Sequence, residues 1–600
     1  MSDAPPTTPP IPTADPLSTR ALRTARGWDA RHWLRESDGG LLALALLVGA
    51  GAAGLAIVFR LLIHLFTELL SGHADYAADP GADNHWVPWL GPYFVLLAPV
   101  AAGLVYGPLV RYFAPEARGH GVPEVMYAVA QRGGRIRPQV AGVKALASAL
   151  CIGGGGSVGR EGPIVQIGSA LGSTLGGVAR LSEARLRVLV ACGAAGGIAA
   201  TFNAPLAGVF FAMELILADF AAQSFGMVVL AAVTSSAIAR AALGDEPFLA
   251  LPDFVLAHRW EFVLVAVLGA LAGVVGVAFT RILYAIEDLC DRVWRGPEWL
   301  RPAVGGLALG ALLLALPEMY GVGYPVLGNA VDGRYAVGFL LVLLVGKMIA
   351  TSLTIGIGGS GGVFAPSLFL GAMLGAAFGE VAGRFSGGDV SQVGTYALIG
   401  MGAVFAGSAR APITAVVILF ELTGEYSIIL PMMVAIVLAT GVSHRLSADT
   451  IYTLKLRRRG IDLARPELIR PTRRIADLMV PVPEPVREGE RLVDVADRLA
   501  ASGAGVLPVV DAAGVFRGTV TARSAAQQLA SGSHDADPVS LVAGWTVRLR
   551  SDETLADGLA ALERSGAAAV PVHGPVGSDA EDEVVGWLTY QATLAAPALR

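Results

Sequence analysis

Glu161 is the residue around which chemistry can be organised. It stands in Gly159-Arg160-Glu161-Gly162-Pro163, a glycine-rich turn that opens an otherwise apolar stretch. Unpaired amide N–H groups and the positive end of the helix dipole attract anions at such a place. A carboxylate there competes with any mobile anion for the same donors, and it can trade its charge for a proton. Gly119-His120-Gly121-Val122-Pro123-Glu124, Asn203-Ala204-Pro205-Leu206-Ala207-Gly208 and Gly361-Gly362-Val363-Phe364-Ala365-Pro366 have the same character. Backbone N–H groups in such loops replace an anion's hydration shell without a formal cation, which would hold the ion too tightly to release it. Tyr452 carries a neutral hydroxyl donor, and Lys144 and Arg160 are basic residues within or beside apolar sequence. Each residue also has a plainer reading. One glycine-rich loop is more often a close-packing device, Glu161 could pair with Arg160, Tyr452 could anchor at a membrane surface and Lys144 could snorkel to one. Four loops in order along one chain favour the functional reading, as does the general rule that acids inside a membrane are functional.

The elements that position these residues follow from composition. The 600-residue chain is 54% hydrophobic and 16% charged, with a mean hydropathy of +0.59, outside the range of soluble domains and expected for a polytopic membrane protein. Its net charge of −5 argues against a nucleic-acid partner. Cys151, Cys192 and Cys290 lie in or beside apolar stretches and read as small hydrophobes, with no disulfide framework. Residues 1–36 read as a disordered tail without a signal peptide. Arg20, Arg23, Arg26, Arg31 and Arg35 precede the first apolar segment, and Lys455, Arg457, Arg458 and Arg459 follow the last. The positive-inside rule then places both ends in the cytoplasm, with the bilayer expected to be the cell membrane.

Between about Leu41 and Val442 run fourteen apolar segments, several shorter than the roughly 20 residues that cross a bilayer. Short, Gly- and Pro-interrupted helices that stop inside a membrane are where transporters build ion sites. The segments form two related series. Pro163, Gly168 and Gly172 recur as Pro366, Gly371 and Gly375, an offset of 203. Ala204-Pro205 with Glu214-Leu215 recurs as Ala411-Pro412 with Glu421-Leu422, an offset of 207. Duplicated halves pack with a site at their interface. After about Arg474 the pattern becomes α/β, with helices over Leu492–Ala501 and Leu555–Arg564 and its own repeat at an offset of 63. The expected layout is a membrane domain over 37–460, a linker over 461–473 and two soluble repeats over 474–531 and 536–600.

The four loops together resemble the CLC family of chloride channels and chloride/proton exchangers. Its gating glutamate stands in a G-[RK]-E-G-P motif, and its anion site uses a G-S-G-I-P-E loop, a G-x-F-x-P loop and a late tyrosine. The soluble repeats resemble a tandem pair of CBS domains. The resemblance implies an all-α membrane domain of two inverted halves, a homodimer with one pathway per subunit, and a cytoplasmic CBS pair. It also implies Glu161 as the gate, with His120, Gly121, Val122, Val363, Phe364 and Tyr452 around the anion and Lys144 and Arg160 shaping its potential. Chloride is the implied transported ion, and no cofactor is expected.

Two departures from the family pattern matter. His120 stands where most chloride-selective relatives have Ser; its ring either donates to the ion or turns away, bonded to protein. Exchangers of the family usually carry two consecutive acids after the N-A-P-L-A-G stretch, the second relaying protons, whereas this chain has Glu214-Leu215. An aliphatic side chain relays no proton. The reading from sequence therefore leans to a gated chloride channel, with a chloride/proton antiporter as the alternative and Glu214, Asp219 or water as its proton route. In the CBS pair, Ser524 and Ala592 stand where nucleotide-binding members place an Asp, so a scaffold without nucleotide is expected. A CBS-regulated divalent cation transporter would need clustered carboxylates, and Glu161, Glu214 and Glu421 are scattered. No H-E-x-x-H zinc motif is present and no nucleophile turn is read, so no enzyme is expected.

Overall fold

The computed structural model describes residues 33–35, 37–244, 258–385, 392–461, 474–487, 489–502, 505–531, 549–553, 555–565, 568–575 and 583–595. Most of the tail expected over 1–36, nearly all of the linker expected over 461–473, and residues 536–548 of the second soluble repeat lie outside these. The chain divides into two compact units between Arg459 and Gly460.

The first unit begins with α1 (Asp38–Ser71), capped by Ser37, whose hydroxyl accepts from the Gly40 N–H. There follow α2 (Phe94–Phe113), α3 (Val122–Gln131), α4 (Gln139–Gly153), α5 (Glu161–Val178), α6 (Glu183–Phe202), α7 (Pro205–Phe211) and α8 (Ala222–Leu243). The second series comprises α9 (Glu261–Val293), α10 (Arg301–Ala315), α11 (Tyr324–Val331), α12 (Val337–Gly356), α13 (Phe364–Phe385), α14 (Val393–Ala409), α15 (Pro412–Thr423) and α16 (Ile429–Leu446). A short α17 (Thr453–Arg458) closes the unit. Among the described residues, eight helical stretches, counting α2 with the short turn before it, are long and apolar enough to cross a membrane, and five more are apolar but only 10–17 residues long. Backbone that stops short of spanning needs partners inside the protein, since lipid offers none.

The structure refines the expected segments in three ways. α5 and α13 start at Glu161 and Phe364, so the residues with chemistry lie in the first helical turn rather than ahead of it. α3 and α11 are too short and too polar to stand out in an apolar scan. The run expected over Leu206–Ala218 is not one α-helix: after Phe211 it widens into a π-turn over Ala212–Leu217 and ends on Ala218 with φ 52°. A widened turn rotates the side chains that follow it, and Glu214 lies within it.

The repeat visible in sequence is a repeat of packing. α5 lies on α6, and a Cβ on Gly193 would meet the Gly168 carbonyl oxygen at 2.0 Å. α13 lies on α14, and a Cβ on Gly400 would meet the Gly371 oxygen at 2.3 Å. Such backbone contact between small residues drives helix association where the hydrophobic effect is weak.

The second unit holds two copies of one motif. In the first copy β1 (Val486–Arg487) runs parallel to β2 (Val506–Val510), which pairs antiparallel with β3 (Phe516–Thr521), with α18 (Leu492–Ala501) and α19 (Ala522–Ala530) attached. In the second copy β4 (Leu549–Arg550), β5 (Ala569–His573) and β6 (Val584–Thr589) repeat that order, with α20 (Leu555–Ser565) and α21 (Tyr590–Ala595). Val486, Leu499, Val509 and Val520 centre one core, and Leu549, Leu562, Val572 and Leu588 the other. Ser524 is committed to structure: with Thr521 it forms the reciprocal cap of α19.

Gly193→Val forces a branched side chain onto the Gly168 carbonyl and is expected to cost about 1–3 kcal/mol. Gly226→Val enters open space on α8 and is expected to stay within about 0.5 kcal/mol. Thermal denaturation of the detergent-solubilised protein, followed by loss of the monodisperse peak, distinguishes the two.

Candidate anion-binding site

The loops of the two halves are stitched together by their backbones. The Gly159 N–H donates to Gly362 O at 2.8 Å and the Gly362 N–H returns a bond to Gly159 O at 2.6 Å. The Gly119 N–H donates to Gly359 O at 3.0 Å, and the Gly361 N–H to Gly119 O at 3.3 Å. The loop before α3 and the N-termini of α5 and α13 therefore meet at one point. A Cβ on Gly162 would lie 2.0 Å from the His120 carbonyl oxygen, so only glycine permits that approach.

Glu161 is 1% exposed at this junction. Its Oε2 accepts from the Ala365 N–H at 3.3 Å, in the first turn of α13, and its Oε1 accepts from the Tyr324 hydroxyl at 2.8 Å. The carboxylate thus occupies amide and hydroxyl donors at a helix N-terminus, where a small anion would bind. Val122, Val363 and Phe364 are buried beside it, and the Phe364 ring packs edge-on against Phe405 at 4.5 Å and near Phe202 at 5.7 Å.

His120 is 1% exposed, and neither ring nitrogen has a hydrogen-bond partner among the described residues. Its ring lies 6.4 Å from the rings of both Tyr452 and Tyr284. The ring is therefore not turned away and bonded to protein, the arrangement left open by sequence. Tyr452 is buried; the Ile451 N–H before it donates to Ser408 O at 2.9 Å and Ile451 O accepts from the Tyr284 hydroxyl at 2.7 Å. The basic run after it is tied down as well: Lys455 pairs with Glu287 at 3.3 Å, Arg459 with Glu124 at 2.6 Å, and Arg458 with Asp288.

Lys144 does not snorkel. It is 0% exposed, and its Nζ donates to Ala117 O at 2.9 Å and Gly119 O at 2.7 Å. The amine anchors the loop that carries His120. Arg160 keeps other company. Its guanidinium donates to Thr201 O at 3.3 Å, lies 5.3 Å from the Tyr324 ring centre, and lines a cavity of about 100 Å³ with Arg60, His64 and Tyr324.

Glu214 is not brought into this cluster. Its carboxylate accepts from the N–H groups of Ile413 and Thr414 at 3.2 and 2.8 Å and from the Thr414 hydroxyl at 2.7 Å, capping α15. Glu421 does the reverse, accepting from the Leu206 and Ala207 N–H groups at 2.9 and 2.6 Å and capping α7. Each half thus caps a helix of the other. Among the described residues no group of three or more His, Cys, Asp or Glu side chains could hold a metal ion.

Sequence reasoning missed Tyr324 and Lys347. Lys347 is buried on α12, and its Nζ donates to Gly321 O at 3.1 Å and Val322 O at 2.9 Å. The signal was present: the offset of 203 carries Lys144 onto Lys347, and Gly119-x-Gly121-x-Pro123 recurs as Gly321-x-Gly323-x-Pro325.

A family model described as "Voltage gated chloride channel" matches residues 102–444, and a "CBS domain" model matches residues 475–531. The chain is 33% identical over 431 residues to a protein of Ralstonia nicotianae named "Putative chloride channel protein ClcB-like", covering 71% of this chain and 98% of that one. It is 34% identical over 429 residues to the H(+)/Cl(-) exchange transporter ClcA of Vibrio cholerae, covering 70% and 89%. Among solved structures, a slow cyanobacterial Cl-/H+ antiporter aligns with a TM-score of 0.63 at 26% identity, covering 71% of this chain and 98% of that one.

Glu214→Ala and Glu421→Ala each strip the acceptor from two backbone amides and are expected to lower stability by about 1–3 kcal/mol. Glu421→Gln, which keeps one acceptor oxygen, should recover part of the loss. Thermal denaturation in detergent measures both.

Proposed function

The chain belongs to the voltage-gated chloride channel family, and from that premise together with the geometry of Glu161 we propose that it exchanges chloride for protons across the cell membrane. The single observation that carries the reading is the place of the Glu161 carboxylate, on the α13 amide and the Tyr324 hydroxyl where the two halves meet. Ionised, the side chain holds donors that an anion needs. Protonated, it loses its attraction for them and leaves the site to the ion. One group thus couples anion entry to proton uptake.

In this reading the anion is held by loop N–H groups around His120, Gly121, Val122, Val363 and Phe364, by the Tyr452 hydroxyl and by a neutral His120 N–H. Lys144 raises the local potential while its own donors stay on carbonyls, so the ion meets no free cation and leaves readily. The cavity beside Arg160 and Tyr324 brings water to the gate from the side of the membrane on which α1 ends. The inward proton step runs along water rather than through Glu214, whose oxygens are held by α15. Both chain ends lie in the cytoplasm, two chains form a dimer, and the soluble pair acts as a scaffold coupled to the membrane unit.

Named exchangers among the relatives support proton coupling over the channel reading favoured by the sequence. A channel remains the second reading because Leu215 is aliphatic where exchangers usually carry their inner acid.

Reconstituted protein under a chloride gradient is expected to show a reversal potential displaced from chloride equilibrium by an opposing pH gradient; a potential indifferent to pH makes it a channel. Glu161→Gln, permanently neutral, is expected to pass chloride with no pH dependence, and unchanged pH dependence of flux removes Glu161 from the gate. His120→Ala is expected to weaken bound chloride several-fold without altering that pH dependence, read by isothermal titration.

A further inference from the structure

We propose that Tyr324 is the latch of the gate: its hydroxyl, hydrogen-bonded to Glu161, holds the carboxylate in the anion's place, and breaking that bond is part of every opening. The inference rests on the reading of Glu161 as a gate. It begins from the internal symmetry of the fold. The loop Gly119-His120-Gly121-Val122-Pro123 before α3 has a copy, Gly321-Val322-Gly323-Tyr324-Pro325, before α11. Both glycines of each copy take positive φ, 78° and 81° in the first and 64° and 88° in the second, so the two turns share one backbone path. A buried lysine holds carbonyls of each: Lys144 those of Ala117 and Gly119, Lys347 those of Gly321 and Val322.

The copies differ in what the turn presents. The position that is Val122 in the first half is Tyr324 in the second, and the phenol reaches Glu161 Oε1 at 2.8 Å. Its ring lies 5.3 Å from the Arg160 guanidinium, and Lys347 holds carbonyls of the same turn, so both basic side chains help to place the hydroxyl. The side chain is only partly buried, with an edge on the cavity it shares with Arg60, His64 and Arg160. Water from that cavity can take over the hydroxyl when the gate leaves. The titratable and charged groups facing the carboxyl are Arg160 in its own first turn, Tyr324 on α11, Lys347 on α12, Tyr452 before α17, His120 before α3, and Arg60 and His64 on α1 across the cavity.

A hydrogen bond donated to the ionised form favours that form, so its loss lets the gate protonate at higher pH. Tyr324→Phe keeps the ring beside Arg160 and removes the hydroxyl, with the bond it donates to Glu161. In chloride efflux from proteoliposomes, the pH at half-maximal flux is expected to rise by about one unit, about tenfold in proton concentration, as for loss of one hydrogen bond to a charged group. In a Glu161→Gln background, where no ionisable gate is left, the same substitution should leave the flux independent of pH. If Glu161→Gln abolishes pH dependence while Tyr324→Phe leaves the wild-type midpoint, the latch is wrong and the gate stands; if Glu161→Gln leaves pH dependence intact, the gate itself is wrong and the latch falls with it. Should Tyr324→Phe not yield monodisperse protein, a fluorinated tyrosine at position 324, the stronger donor in the same shape, decides: a lower midpoint supports the latch and an unmoved midpoint overturns it.

Discussion

Everything in the membrane unit depends on one constraint: backbone N–H and C=O groups that leave a helix inside a bilayer must find partners within the protein. The glycine-rich turns before α3, α5 and α13 answer it by pairing with one another. The bonds between Gly159 and Gly362 and from Gly119 to the 359–361 strand segment join the halves edge to edge at their centre. The Ala365 amide at the start of α13 donates to Glu161 there. The junction that joins the two interrupted helices is therefore also the place where the Glu161 carboxylate finds its donors.

Charge is handled in the same spirit. Lys144 and Lys347 are buried ammonium groups, and both give their hydrogens to loop carbonyls rather than to an acid. In each half the lysine thus serves the backbone of a glycine-rich turn, supplying donors to carbonyls that no helix or strand satisfies. The acids near the end of the unit serve differently: Glu124, Glu287 and Asp288 neutralise the basic run after Tyr452 and so fix the segment that carries the tyrosine.

Much of this was legible in the residue string, and the part that was not has a common cause. The gate, the loops and the two-fold repeat are written in glycine and proline spacing, a local signal tied to turns. α3 and α11 escaped because an apolar scan looks for long runs, and the turn before α11 was overlooked although its glycine spacing copies that of the first half. Glu214 and Glu421 were recognised as equivalent positions, yet their exchange of caps could not be read, because their partners lie 199 to 215 residues away. The orientation of the His120 ring is equally non-local, set by where Tyr284 and Tyr452 come to rest. In the soluble unit the 63-residue repeat announced the paired sheets directly, since short alternating strands and amphipathic helices are local patterns.

The exchanged caps also impose an order in time. When α7 leaves the ribosome, the amides of Leu206 and Ala207 have no acceptor of their own, and Glu421 is still 215 residues from being made in the case of Leu206. At about 5–20 residues per second of synthesis, the first half waits on the order of ten to forty seconds with that helix start open. Nascent chain truncated before residue 421 is thus an unfinished surface that other factors in the membrane can recognise, and completion of the second half is what withdraws it.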